Sequence, residues 1–134
     1  MPQKPIIACV DDDQLARDAL LGLLRAVGFD PNVFSSAEEF LQSDRLNETS
    51  CLISDIHLRG MSGLELQNRL AALGSSLPVI VITAFPDDRV RERALSAGAI
   101  GFLDKPFSTE DLLTCISSAL NSRHGDDMHP LGER

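Results

Sequence analysis

Five polar residues of this chain each stand just past a short apolar run. Asp11 and Asp12 follow Pro5-Ile6-Ile7-Ala8-Cys9-Val10, Asp55 follows Cys51-Leu52-Ile53-Ser54, and Thr83 follows Pro78-Val79-Ile80-Val81-Ile82. Lys105 comes just after Ala99-Ile100-Gly101-Phe102-Leu103. If these runs are strands of one sheet, three carboxylates, a hydroxyl and an amine meet at one edge of it. Carboxylates forced together repel, and without a cation at least one keeps its proton. A hard divalent ion relieves that repulsion. Mg²⁺ suits such a set because it needs only one or two protein carboxylates, keeps several waters and leaves places for phosphoryl oxygens. It also neutralises charge on a transferring phosphoryl group. Lys105 is a second, movable positive charge, and Thr83 can donate to a phosphoryl oxygen. An Asp carboxylate can itself be the nucleophile, giving an aspartyl phosphate.

Each residue also has a plainer explanation. Asp11, Asp12 or Asp13 can cap the following helix, and capping is the expected role of Asp13. One helix needs one cap, so capping does not account for the whole run. Asp55 alone could stabilise a turn toward Gly60, Thr83 could be an ordinary strand end, and Lys105 a solvated cation. Together, at matching strand ends, the five point to a functional site, because charge clusters concentrate there.

The elements that must position them alternate regularly. The apolar runs are unbroken, as in strands buried on both faces. After the first run, Leu15, Ala19, Leu23 and Leu24 fall at helical spacing, with Ala16, Leu20 and Val27 widening the stripe, and Gly28 stops the helix. Pro31-Asn32-Val33-Phe34 reads as a second strand, and Ser35 or Ser36 caps a helix through Ala37, Phe40 and Leu41. The stretch from Gln42 to Ser50 is polar and loop-like. A loop with Gly60 and Gly63 leads to a helix over Leu64–Leu73, with Leu66, Leu70 and Leu73 on one face. Asp87 or Asp88 caps the next helix, which Gly98 ends; Ser108 or Thr109 caps the last, carrying Leu112, Leu113, Ile116, Ala119 and Leu120. Five strand–helix units of this kind imply an α/β fold, a doubly wound five-stranded parallel sheet flanked by five helices. In such a sheet, ligands bind beyond the carboxyl ends of the strands. One domain is expected over residues 1–122, with 123–134 a flexible tail or the start of a linker.

Composition excludes several classes. The formal net charge is −8 with a pI near 4.7, so the chain repels phosphate backbones and lacks the basic stripe of a nucleic-acid binder. Direct nucleic-acid binding by this domain is not expected. Cys9, Cys51 and Cys115 are scattered without metal-ligand spacing, and Cys9 and Cys51 lie inside apolar runs as small hydrophobes. No signal-peptide pattern opens the chain, and no apolar run reaches the roughly 18 residues of a membrane span. A reducing cytoplasm and no membrane contact are expected.

On these residues the chain resembles the receiver domain of bacterial response regulators. The matching stretches are Val10-Asp11-Asp12-Asp13, Ser54-Asp55-Ile56, Met61-Ser62-Gly63-Leu64-Glu65-Leu66, Ile82-Thr83-Ala84 and Gly101-Phe102-Leu103-Asp104-Lys105-Pro106-Phe107. The resemblance runs from about Pro5 to Asn121, and Ser35-Ser36-Ala37-Glu38-Glu39-Phe40-Leu41 is most similar to the FixJ-type subgroup. It implies a flavodoxin-like, CheY-like fold with strand order 2-1-3-4-5. It implies Asp55 as phosphoacceptor, supplied by a sensor histidine kinase or phosphotransfer protein. It implies Mg²⁺, with Mn²⁺ as a substitute, on the Asp12 and Asp55 side chains and the His57 backbone carbonyl, with Asp11 acting largely through water. Thr83 and Lys105 would sense the phosphoryl group, the Lys105–Pro106 bond would be cis, and Phe102 stands at an aromatic switch position, where plain core filling is an equal reading. The face of the fourth helix, fifth strand and fifth helix would become a partner or phosphorylation-dependent homodimer surface. Chemistry beyond self-phosphorylation and autodephosphorylation is not implied, so the chain is not expected to be an enzyme.

Three departures and competitors complete the reading. Arg59 stands where many relatives have Pro, which leaves its loop less rigid. His57 and Phe85 occupy positions that tune phosphoryl lifetime in the family; Phe85 would hinder an attacking water, whereas His57 acts in a direction the sequence does not set, or is a solvated loop residue. A phosphatase working through an aspartyl phosphate usually needs an acid at position 57, which is His. A flavin carrier needs a Ser-, Thr- and Gly-rich loop after the first strand, where the Asp11–Asp13 run would repel the phosphate. The alternative kept is a phosphate-independent interaction module with a vestigial site.

Overall fold

A computed structural model gives the architecture and describes residues 4–128. Five strands, β1 (Ile6–Val10), β2 (Asp30–Phe34), β3 (Thr49–Asp55), β4 (Val79–Thr83) and β5 (Gly101–Asp104), alternate with five helices. The helices are α1 (Gln14–Ala26), α2 (Ala37–Leu41), α3 (Gly63–Ala72), α4 (Asp88–Ser96) and α5 (Thr109–Met128). A 3₁₀ turn, Leu46–Glu48, interrupts the loop before β3. The sheet order is β2-β1-β3-β4-β5, and every neighbouring pair is parallel. The expected doubly wound fold and strand order therefore hold.

The sheet separates two apolar layers, and the strand period of two decides which side chain enters which. Ala8, Val10, Leu52 and Val81 face one way, toward Phe40, Leu66 and Leu70. Ile7, Cys9, Ile53, Ile80 and Ile82 face the other, toward Leu20, Leu24, Leu112 and Ile116. Burying one such side chain contributes about 2 kcal/mol. An exposed ion pair such as Arg45–Asp30, 3.3 Å apart, contributes well under about 1 kcal/mol. The aliphatic layers therefore hold the strand ends in place.

The caps sit where their side chains predict. Asp13, Ser36 and Asp87 cap α1, α2 and α4, Ser62 and Glu65 form a capping box on α3, and Ser108 Oγ accepts from the Asp111 N–H at 2.9 Å. The stripes need correction at their ends. Leu15, in the first turn of α1, is 78% exposed and Ala19 is exposed, while Leu20 and Leu24 of the same stripe carry the buried face as expected. Val27 and Leu73 are C-caps, where the chain leaves the helical spiral, and both are exposed. Gln67, outside the expected stripe of Leu66, Leu70 and Leu73, is also buried. α5 continues as helix through Met128, across the first part of the tail expected from residue 123, and residues 129–134 lie outside the described residues.

The start of α3 is seated directly on the end of β3. The Gly63 N–H donates to Ile56 O at 3.0 Å, and a Cβ at Gly63 would stand 2.3 Å from the Asp55 carbonyl oxygen. Both partners are backbone, so neither can swing aside. Gly63→Ala is expected to lower unfolding stability by about 2–3 kcal/mol, read as a lower urea midpoint at unchanged slope. A variant as stable as the parent would show that α3 can lift off the strand without cost.

Candidate functional site

The carboxyl ends of β1, β3, β4 and β5 deliver the five residues to one edge. Asp11, one residue past β1, is fully buried, and its N–H donates to Phe34 O of β2 at 3.1 Å. Its carbonyl accepts from Arg17 Nη1 at 2.8 Å, so α1 also fixes it from behind. Asp55 is the last residue of β3 and is 6% exposed. Thr83 ends β4, fully buried. The Lys105 N–H donates to Thr83 O at 2.7 Å, which sets the lysine beside the hydroxyl. The Lys105–Pro106 peptide is cis, as the resemblance implied.

The centre of the site is an ammonium shared by two carboxylates. Lys105 Nζ donates to Asp11 Oδ2 and to Asp55 Oδ2, each at 2.7 Å. The other oxygens are also engaged: Asp11 Oδ1 accepts from the Asp13 N–H at 3.0 Å, and Asp55 Oδ1 from the His57 N–H at 2.8 Å. Asp12, partly exposed, accepts from the Arg59 N–H at Oδ2, 3.2 Å away. Asp13 is exposed and caps α1 through the Ala16 N–H, the plainer role expected of it. Among the described residues no three carboxylate, imidazole or thiolate side chains gather around one point as they stand. Asp11 and Asp55 converge on the lysine, while Asp12 is turned to the loop. The donor set, carboxylate oxygens with backbone carbonyls nearby, is nonetheless the hard-oxygen kind that Mg²⁺ takes.

Burial and charge act in opposite directions here. Desolvation raises the Asp11 pKa; the hydrogen bonds from Lys105 and the Asp13 N–H offset it only in part, and the neighbouring Asp55 adds to it. Burial alone would lower the Lys105 pKa, but the hydrogen bonds and charges of Asp11 and Asp55 outweigh it, and the net shift is upward. One cation serves two carboxylates, so the lysine stays charged and the more deeply buried acid is undercompensated. By contrast, Cys9 and Cys51 are buried and free, their thiols pushed up chiefly by desolvation, Cys51 to about 12. They are core residues.

Around this centre, Thr83 Oγ1 accepts from the Phe85 N–H at 3.0 Å. The His57 and Phe85 rings meet edge to face, centroids 5.4 Å apart, with Phe85 69% exposed. An apolar cleft of about 570 Å³, lined by Leu20, Ile82, Pro106 and Phe107, opens onto Asp11 and Lys105. Phe102 is partly buried against the layer containing Val81. Two contributors were not legible in the sequence: Arg17, whose link to Asp11 is to a carbonyl, and Glu38, whose Oε2 accepts from the Met61 N–H at 3.1 Å. Neither belongs to a spacing pattern.

Comparison with known proteins gives one answer. The model of the response regulator receiver domain matches residues 7–117. Nodulation protein W of Bradyrhizobium diazoefficiens is 42% identical over 87% of this chain and 51% of its own length. Response regulator protein TmoT of Ectopseudomonas mendocina is 42% identical over 88% of this chain and 54% of its own. The chain thus spans about half the length of the curated relatives it matches. Among solved structures, the response regulator StyR superposes with TM-score 0.84 at 39% identity, covering 96% of this chain and 67% of that one. FixJ-N superposes with TM-score 0.80 at 32% identity, covering 90% of this chain and 96% of that one.

The raised Asp11 pKa fixes a sign. A folded state that holds this proton more tightly than the unfolded chain gains stability below the ordinary carboxylate value, and loses it as pH rises through the raised value. In EDTA, Asp11→Asn is therefore expected to melt a few degrees above the parent at neutral pH, with its stability no longer falling across that window. A lower melting temperature at neutral pH would mean that the Lys105 hydrogen bond outweighs the cost of burying the charge.

Proposed function

Because the chain belongs to the response regulator receiver domain family, we propose that Asp55 is its phosphoacceptor and that a histidine kinase or phosphotransfer protein supplies the phosphoryl group. The observation that carries this reading is the Lys105 ammonium, 2.7 Å from both Asp11 and Asp55. A Coulombic clamp of that kind has a use beyond packing. It holds Asp55 Oδ2 in a fixed direction, and it is placed to meet an incoming phosphoryl oxygen.

In the transfer, an Asp55 carboxylate oxygen attacks phosphorus; the new O–P bond forms as the P–N bond to the donor imidazole breaks, and the imidazole leaves with the electron pair. Mg²⁺, or Mn²⁺ in its place, would be held by Asp12, Asp55 and the His57 backbone carbonyl, with Asp11 largely through water, and would neutralise phosphoryl charge. The Thr83 hydroxyl already accepts from Phe85, so its own O–H is the donor turned to the phosphoryl group. The unit proposed is residues 1–122, and turnover of small phosphate esters is not expected of it.

Phosphorylation adds negative charge and strong acceptors, and it biases a two-state balance. Pulling Thr83 and Lys105 inward acts on β4 and β5, and Phe102 is the aromatic that can fill the space behind Thr83. The face of α4, β5 and α5 is then the surface that changes for a partner, a second copy or an output domain. An interaction mapped instead to α2 and α3 would count against this assignment.

Incubation with Mg²⁺ and acetyl phosphate is expected to add one phosphoryl mass to the chain. The adduct should vanish in Asp55→Asn and in EDTA. A folded parent that takes no adduct would favour a phosphate-independent interaction module. Our reading of the edge-to-face His57–Phe85 pair is that it hinders an attacking water, so Phe85→Ala should shorten the half-life of the adduct several-fold, followed by intact mass after removing the donor. An unchanged or longer half-life would place the barrier to water elsewhere.

A further inference from the structure

The segment between β3 and α3 passes directly over the acceptor and is held at both ends and in the middle. Near its start the His57 N–H donates to Asp55, and where it meets α3 the Gly63 N–H donates to Ile56 O. Between them, Arg59 donates to Asp12 Oδ2 at 3.2 Å and Met61 donates to Glu38 Oε2 at 3.1 Å. Glu38 comes from α2, an element that delivers no other group here. It is exposed, and the capping of α2 does not need it: Ser36 caps the helix, and Glu39 accepts from the Ser35 N–H at 2.7 Å.

The fit between Glu38 and the loop is close. Gly60 has φ +75, and a Cβ there would stand 2.8 Å from Glu38 Oε2. The carboxylate thus lies against the loop backbone at Gly60 while accepting from the next residue. This matters because Arg59 stands where a Pro would stiffen the loop, so rigidity has to come from outside it.

We propose that Glu38 is a positioning residue for the acceptor site: by holding Met61 and Gly60 it fixes the loop that carries the His57 carbonyl and faces Asp12. The inference rests on the metal reading given above. An ion that draws Asp12 Oδ2 away from the Arg59 N–H costs the loop its middle tether. With Glu38 in place, the far end stays fixed and His57 keeps its position. Without it, the loop must be ordered when the ion binds, and that entropy weakens binding.

Two substitutions separate reach from charge. Glu38→Gln keeps the acceptor oxygen at its position and removes the charge; Glu38→Asp keeps the charge and shortens the side chain by one methylene. Mg²⁺ titrations of ¹⁵N-labelled protein, followed through the His57 and Arg59 amide shifts, give the affinity, and hydrogen exchange of the Met61 amide gives the loop tether without metal. Glu38→Gln is expected to bind like the parent and to protect Met61. Glu38→Asp should expose Met61 and bind Mg²⁺ about tenfold more weakly, with an unchanged melting temperature. Gln as weak as Asp would assign the effect to charge, and both equal to the parent would remove any role; either result overturns the proposal. A parent that binds no Mg²⁺ at all sinks the metal reading itself, and this proposal with it.

Discussion

Two buried carboxylates share one ammonium, and most of the arrangement follows from that imbalance. Asp11 and Asp55 lie almost entirely out of water, where an isolated charge costs several kcal/mol (about that order). Lys105 meets both at 2.7 Å, yet it brings one positive charge to two negative ones. The surplus is met by backbone N–H groups: Asp13 on Asp11, His57 on Asp55 and Arg59 on Asp12. These bonds dictate that the chain turn sharply after β1 and after β3. The turns are therefore consequences of the charge cluster as much as supports for it.

The parallel sheet makes such a cluster attainable from distant sequence. Lys105 is 94 positions from Asp11 and 50 from Asp55, and only strands running the same way bring their carboxyl ends to one edge. The register does the fine placement. Asp55 pairs with Ile82, so Thr83 lies one residue further along, and Thr83 pairs with Asp104, so Lys105 follows beyond it. Each step is locked by side chains buried in one of the two apolar layers. A slip of one residue in any strand would turn its aliphatic set inside out. The apolar pattern thereby sets the position of polar atoms that it never touches.

That logic explains what was legible beforehand. Four of the strands, and the gathering of five polar residues at one sheet edge, follow from unbroken apolar runs and the polar residues that end them, whereas the strand order came with the family resemblance. Asp13 as a cap was legible because capping needs one side chain and one local N–H. Leu15 and Leu73 were misplaced because helical spacing continues on paper past the point where a neighbouring element covers the helix. Glu38, Arg17 and Gln67 were illegible for a different reason. Each acts on a backbone group of another element, Met61 N–H, Asp11 O and Ala94 O respectively, and backbone partners leave no trace in residue types. The turning of Asp12 toward Arg59 is of the same kind.

The least anchored helix is the one that follows directly on the Thr83 end of the site. α4 buries only Ala94 of its own residues, whereas α1, α3 and α5 each set several side chains into the layers. Its one cross-link by side chain among the described residues is at the far end, where Gln67 Nε2 donates to Ala94 O at 3.1 Å. Its beginning follows directly on Thr83 and Phe85, joined to the site by the Phe85 N–H on the threonine hydroxyl. A helix tied at its carboxyl end and lightly packed elsewhere has a low cost of displacement at its amino end. The threonine hydroxyl is thus the side-chain link between the site and the segment leading into α4. Whatever moves that hydroxyl acts on an element with little buried surface to give up.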